Sequence, residues 1–276
     1  MLEFLFYLFL AGILIACFQD LKRREVDNWL NLFLIFSSLA FVFFTSIFNQ
    51  DKTLIVFACC SMIILFVLSN LFYYGRIFSG GDAKLLFAMF AFFAGLSFFE
   101  TFFNILIFLI FLFVGGAIWG SLFSLYLFLK NPKKTISQFK KEVRGPCIKI
   151  KYFLAFGILF LILGYFNYLF LFISFILIVF PFIFALAQSI EKVSMVREIN
   201  AKNLREGDWI VDEVKIKNKK IMPNWEGLTS NDLVLLKKLN KKVKIKEGIP
   251  FVPSFLIAII FYELLKDKIL VLLSLI

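Results

Sequence analysis

Apolar runs of membrane-spanning length, joined by links of only a few residues, restrict the folds open to this chain more than any other feature. Leu2–Phe18 is the first, followed by about Trp29–Phe48, Thr53–Tyr74, Ala83–Phe98 and Phe102–Leu129. A helix needs about 20 apolar residues to cross roughly 30 Å of hydrocarbon. A membrane barrel would instead show segments of about ten residues that alternate in polarity, and none is present. Composition agrees, at 61% hydrophobic and 18% charged with 41 phenylalanines. The expectation is an all-α polytopic membrane protein, a multi-helix transmembrane bundle of about six to eight spans. Glu3 precedes the first run without a basic region or a small-residue cleavage site, so that run reads as a retained helix rather than a cleaved signal.

The second half is less regular. Residues 152–188 would make about 55 Å of helix, too long for one crossing, so two shorter spans broken near Gly164 and Asn167 are expected. Residues 189–250 are polar and read as a small α+β cytoplasmic insert. Within it, Asp208–Val214 and Lys215–Ile221 alternate weakly, as a short hairpin or meander would. Thr229-Ser230-Asn231-Asp232 before Leu233 has the form of a helix cap. Some 60 residues with few large apolar side chains make a marginal core, so the insert is expected to lean on the membrane domain. Ile249–Ile276 is apolar but interrupted by Lys266-Asp267-Lys268, which leaves open whether it crosses once or partly re-enters. The organisation expected is 1–188 as a helical membrane domain, 189–250 as the insert and 251–276 as a final membrane helix.

Net charge is +11, and its placement decides what it means. Residues 130–151 hold Lys130, Lys133, Lys134, Lys140, Lys141, Arg144, Lys149 and Lys151 against the single acid Glu142, whereas the links on the alternate face hold only Lys52. The positive-inside rule then puts the links 19–28, 75–82 and 130–151 in the cytoplasm. Two spans in 152–188 return the insert to the same side. These basic residues face anionic membrane lipids. Nucleic-acid binding is not indicated, since no basic array with interleaved exposed aromatics occurs.

Two aspartates stand where that rule puts both at the cytoplasmic face. Asp20 closes the first run, in Gln19-Asp20-Leu21-Lys22-Arg23-Arg24, and Asp82 opens the fourth, in Ser79-Gly80-Gly81-Asp82-Ala83-Lys84. Ionisable groups at membrane segments are costly and are functional candidates for that reason. Each also has a plain explanation. Asp82 suits the positive end of a helix dipole, and Asp20 can pair with Lys22, Arg23 or Arg24. With no histidine and four cysteines (Cys17, Cys59, Cys60, Cys147) lacking any C-x-x-C pair, a zinc site has neither its usual spacing nor its commonest nitrogen ligand. No metal or cofactor is expected. Two carboxylates that share a proton can hydrolyse a peptide unaided, one activating water and the other protonating the departing group. Gly80 and Gly81 would let a substrate backbone approach closely.

The words around these aspartates resemble a known family. Asp20-Leu21-Lys22-Arg23-Arg24-Glu25-Val26-Asp27-Asn28-Trp29-Leu30 is similar to the first aspartate motif of the type IV prepilin peptidases, a basic loop followed by an aliphatic residue, Asn and Leu. Gly80-Gly81-Asp82-Ala83-Lys84-Leu85-Leu86 resembles their G-x-G-D motif, with Ser79 where the family's first glycine falls. The absence of C-x-x-C pairs points to the archaeal preflagellin/prepilin peptidase branch. The resemblance implies a membrane aspartic endopeptidase that cuts a short basic leader from pilin-like or archaellin precursors at the cytoplasmic face of the cell membrane, with Asp20 and Asp82 as the catalytic pair. Glu25 and Asp27 are possible contacts for basic leader residues, or else neutralise Arg23 and Arg24. Lys84 is a candidate to tune the pair or to reach lipid headgroups. Asn28 is expected to cap the second helix, and Pro250 and Pro253 to shape the last one. Two other readings stand beside this one. A presenilin- or signal-peptide-peptidase-like protease would carry its first aspartate after a Tyr, and a transporter or assembly scaffold would hold its charges nearer mid-membrane.

Overall fold

The computed structural model describes residues 2–145, 150–216, 219–224, 227–237 and 242–274. Cys147 and Lys149, named above, lie outside these residues. The helices are α1 (Leu2–Arg23), α2 (Asn28–Phe48), α3 (Thr53–Tyr74), α4 (Gly80–Ala88), α5 (Phe98–Lys130), α6 (Pro132–Arg144), α7 (Ile150–Leu163), α8 (Tyr168–Ile190), α9 (Ser230–Leu236) and α10 (Val252–Ser274). The strands are β1 (Val196–Asn200), β2 (Trp209–Ile210), β3 (Val214–Ile216), β4 (Lys219–Ile221) and β5 (Lys242–Lys246). Among the described residues five helices are long and apolar enough to cross a membrane: α1, α2, α3, α5 and the one that starts at Tyr168. The protein is a polytopic all-α membrane protein with a small strand-containing insert.

The chain divides into two compact units, Met1–Ser121 with Ile249–Ile276, and Leu122–Gly248. In the first, α2 shows how the bundle forms. Its buried residues Leu30, Asn31, Leu34, Ser38, Val42 and Ser46 recur at helical spacing, while Phe33, Phe36, Phe43 and Phe44 are exposed. The inward stripe packs on neighbouring helices and the phenylalanine face is left for lipid. Phe92, Phe93, Phe108 and Tyr262 meet at the centre, with ring centroids 4.9–6.0 Å apart. Helix α10 approaches α5 closely because α5 carries Gly115 and Gly116 there. A Cβ on Gly115 would lie 2.8 Å from the Ser254 carbonyl oxygen, and one on Gly116 would lie 3.1 Å from the Phe251 ring. Small residues at such crossings are the usual way for membrane helices to pack tightly.

The expected fourth span is not one continuous helix. It starts at Gly80, stops at Ala88, and tightens into a 3₁₀ turn over Met89–Phe93 in which every residue is buried. Its apolar run is core, and apolarity alone does not separate a buried segment from a lipid-facing one. The chain then turns at Gly95, whose N–H is accepted by Thr101 Oγ1 at 3.0 Å, while Glu100 accepts the Leu96 N–H at 2.8 Å. Thr101 and Glu100, read from sequence as a link, therefore lie in the first turn of α5.

The second unit holds α6, α7, α8 and the insert. The break expected near Gly164 and Asn167 separates α7 from α8, and the Asn167 side chain caps α8 by accepting the Leu169 N–H at 2.9 Å. The segment 130–151, expected as a basic link, contains α6. Its lysines obscured a helical pattern in which Phe139 and Val143 pack against Ile150 and Ala185. Buried Glu142 is matched there by Lys192, at 2.8 Å. In the insert, β5 lies between β1 and β2 in an antiparallel sheet, and β3 pairs with β4 as a hairpin. The weak alternation over 208–221 thus yielded β2, β3 and β4, while β1 and β5 were not foreseen. The Lys-Val-Lys-Ile-Lys of β5 has a clear two-residue period that buries Val243 and Ile245. Helix α9 begins at the expected cap, a reciprocal pair between Thr229 and Asp232.

Replacing Gly115 by Val should destabilise the first unit by roughly 1–3 kcal/mol, as overpacking does. It is expected to lower the midpoint of thermal unfolding in detergent, whereas Gly120→Val, where a Cβ meets nothing within 4 Å, should leave it unchanged. Equal midpoints for the two variants would contradict this account of the α5–α10 crossing.

Candidate active site

Asp20 lies in the last turn of α1 and Asp82 in the first turn of α4, and each is only 6% exposed. Both helix ends lie in the first compact unit. Each carboxylate is held by main-chain donors. Asp20 Oδ2 accepts the Val252 N–H at 3.0 Å, a bond that joins α1 to the first residue of α10. Asp82 Oδ2 accepts the Ser79 N–H at 3.1 Å. A helix presents unsatisfied N–H groups and partial positive charge at its start, so the N-terminus of α10 is a natural seat for the Asp20 carboxylate. The Arg24 guanidinium adds a favourable charge.

The segment between α1 and α2 is built to bring the motifs together. Arg24 takes a left-handed conformation (φ 61°) and its N–H donates to the Asp20 carbonyl at 2.8 Å, which ends α1 abruptly. The chain is then locked by buried Gln19, whose Oε1 accepts the Asp27 N–H at 3.0 Å. Asp27 Oδ2 in turn accepts Arg23 Nη2 at 2.6 Å and Trp29 Nε1 at 3.1 Å. The Arg23 bond, more than any other cause, holds the Asp27 carboxyl below the usual carboxylate range. Asp27 is thus committed to Arg23, while Glu25 is exposed. Asn28 does not cap α2. Asp27 holds the cap position without a side-chain capping bond, and Asn28 is the first helical residue, its Oδ1 accepting Lys84 Nζ at 2.8 Å. Lys84 therefore ties α4 to the start of α2.

Gly80 and Gly81 open α4 as ordinary helical residues. Among the described residues the only glycines with positive φ are Gly207 and Gly227, so conformational freedom is not what 80 and 81 supply. A Cβ on Gly81 would touch Val26 at 3.5 Å and one on Gly80 would touch Tyr73 at 3.7 Å. Both are ordinary contact distances, so the α1–α2 segment and the end of α3 lie against the start of α4 without requiring glycine there. Ser79, at the family's glycine position, is extended (φ −71°, ψ 164°) and forms a reciprocal cap with Asp82.

Pro250 and Pro253 flank the Asp20 contact. The Pro250 carbonyl accepts Trp119 Nε1 at 2.7 Å, fixing the entry to α10 against α5. No sequence signal pointed to Val252, because a main-chain N–H carries no residue signature. The Gly115-Gly116 pair in an apolar span was the one available cue that something packs closely there. Two open clefts, one of about 610 Å³ around Asp212 and Lys244 and one of about 130 Å³ between α2 and α3, are not lined by either aspartate.

Fold and site together define a polytopic helical membrane protein whose candidate centre is a buried pair of carboxylates at helix ends. Residues 7–125, which hold both aspartates, match the model of the type IV leader peptidase family. It is also similar to a preflagellin peptidase of Methanococcus maripaludis, 29% identical over 75 residues. That alignment spans 27% of this chain and 32% of the relative, so the chain covers about a third of the curated protein's length. No solved structure matches.

Proposed function

We propose that this protein is a membrane aspartic endopeptidase that removes the short basic leader from type IV pilin-like precursors, of archaellin or pilin type, at the cytoplasmic face of the cell membrane. The observation that carries the reading is that Asp20 and Asp82 are buried carboxylates at separate helix ends of one compact unit, each held by a main-chain N–H group. Like charges so placed oppose simultaneous ionisation and favour one shared proton. The ionised member removes a proton from a water between them as that water attacks the scissile carbonyl carbon. The protonated member stabilises the oxyanion, and the proton then passes to the departing amine as the C–N bond breaks. The proton affinities belong to the pair rather than to either residue.

Orientation is supported by the charge bias of the links and by the chemistry of the substrate. A basic leader stays in the cytoplasm by the same rule that retains Lys22, Arg23 and Arg24 there. Exposed Glu25 beside the dyad is suited to attract the leader's Lys or Arg, whereas Asp27 is occupied by Arg23. The name of the Methanococcus relative favours an archaellin-type precursor among the candidates. The anionic leaflet is the partner of the exposed lysines of α6.

The test is cleavage of an archaellin-like precursor by sealed vesicles carrying the protein. Inverted vesicles, with the cytoplasmic face outward, should cut added precursor, and right-side-out vesicles should not. Asp20→Asn and Asp82→Asn should each reduce the rate by about 100-fold or more, in the range for losing an acid–base group. Cleavage retained by either variant would sink the dyad assignment.

A second variant probes the main-chain donor. Val252→Pro removes the N–H that Asp20 accepts, at a first helical position where proline is well tolerated. Turnover should fall about tenfold, the loss expected for one hydrogen bond to a charged group, and the midpoint of thermal unfolding should fall with it because a buried carboxylate loses a donor. An unaltered turnover would show that the Val252 bond has no part in the reaction.

A further inference from the structure

We infer that the outer face of the insert's sheet docks on the lipid headgroup layer through Trp209, seating the insert on the membrane surface from which α8 emerges. The inference is independent of the proteolytic reading, and it starts from a side chain that the fold does not use. The apolar core of the insert lies on one face of the β1–β5–β2 sheet, where Ile210, Val243 and Ile245 meet Leu233 and Leu236 of α9. Alternate strand residues point the other way. They include Val196 and Glu198 on β1, Lys244 and Lys246 on β5, and Trp209 on β2, followed by Val211, whose N–H donates to the Lys244 carbonyl at 3.0 Å. Trp209 is 42% exposed and Val211 38%. Among the described residues of the insert Trp209 is the only aromatic one, and none of them hydrogen-bonds to its indole or stacks on it.

The strand register places this side chain at one end of the sheet. Val196, Lys246 and Trp209 form a row across the three strands, and that row adjoins the end of a membrane-spanning helix. The span that begins at Tyr168 continues through a π-helical turn to Met195. The Met195 carbonyl accepts the Glu247 N–H at 2.9 Å, one residue before the row, and Glu191 in the same turn pairs with Lys246 at 2.8 Å. The span has 28 residues, which make about 42 Å of helix, close to the roughly 40–45 Å of a bilayer with its headgroups. Tyr165, Phe166 and Tyr168 are all exposed at its far end, as aromatic side chains at a membrane interface are. Met195 is then level with the headgroups of the opposite leaflet. Two strand spacings, about 10 Å, separate Val196 from Trp209, so the indole is within reach of the same layer. An indole suits that layer, having an apolar body and an N–H that takes a wet partner. Lys246 and Lys244 are held by Glu191 and Asp212, so the contact is carried by Trp209 and Val211 rather than by net charge.

The test uses the full-length protein, with Cys17, Cys59, Cys60 and Cys147 replaced, reconstituted at one chain per nanodisc of phosphatidylcholine and phosphatidylglycerol. A fluorophore is attached at Val211→Cys, beside Trp209, or at Val234→Cys, which is exposed on α9 across the insert's core. Lipids carrying a nitroxide on the headgroup serve as quenchers. The fluorophore at 211 should be quenched several-fold more than the one at 234. Trp209→Ser should lower quenching at 211 to the level seen at 234, and Trp209→Tyr, which keeps an interfacial aromatic, should retain it. Because Trp209 stands outside the insert's core, thermal unfolding of these chains should coincide, which separates loss of docking from loss of fold. Equal quenching at 211 and 234, or quenching at 211 indifferent to Trp209→Ser, would overturn the inference. So would quenching at 211 that develops only when several chains share a disc, which would assign this face to a second copy of the chain.

Discussion

A carboxylate buried among apolar helices must find donors inside the protein, because lipid offers none and an unmet charge there costs many kcal/mol. The bond from the Val252 N–H to Asp20 answers that requirement, and much of the first unit is arranged to make it. It needs α10 to begin at the level where α1 ends. That in turn needs Gly115 and Gly116 on α5, where any Cβ would collide with Ser254 or crowd Phe251, and the Trp119–Pro250 bond that fixes the approach. The second aspartate is met in the same way by the residue that caps its own helix. In both cases the donors belong to the main chain, whose position the fold dictates.

This arrangement gives the two family motifs distinct mechanical jobs. The first motif folds into a locked turn, with Gln19, Arg23, Asp27 and Trp29 all hydrogen-bonded within it. The second starts a short helix that runs directly into the aromatic centre of the bundle. Lys84 and Asn28 join the two, and Val26 lies against Gly81 at the start of α4. Residues around the aspartates that look like surface charge are thus mostly committed to one another, and Glu25 is the acid left exposed beside the site.

How much of this could be read in advance depended on whether a residue signals its role through its own chemistry. Long apolar runs announced the spans, Asn167 announced a cap and a break, and Thr229 with Asp232 announced α9. Asp20 and Asp82 stood out because charge at a membrane segment is expensive. Three features were hidden for physical reasons. The Val252 donor is a backbone group 232 positions from its partner. The Ala83–Phe98 run is as apolar as a lipid-facing helix but is buried over 85–86 and 88–95, and part of it is a 3₁₀ turn. Helix α6 carries its apolar positions among so many lysines that charge dominated the reading. Asn28 was misassigned because asparagine caps helices often, and its real partner, Lys84, is remote in sequence.

The central claim is that Asp20 and Asp82 face one another closely enough to act on a single water. It is tested most directly by cross-linking. With the native cysteines Cys17, Cys59, Cys60 and Cys147 replaced, Asp20→Cys and Asp82→Cys would be combined in a chain carrying a cleavable site in the link between α2 and α3, and treated with a short bifunctional thiol reagent. The account predicts efficient intramolecular linkage of the two fragments, and none when the second cysteine is placed at lipid-facing Val56 instead of position 82. Equal linkage at both positions, or none at 20 and 82 while each cysteine alone reacts with a small thiol reagent, would contradict it.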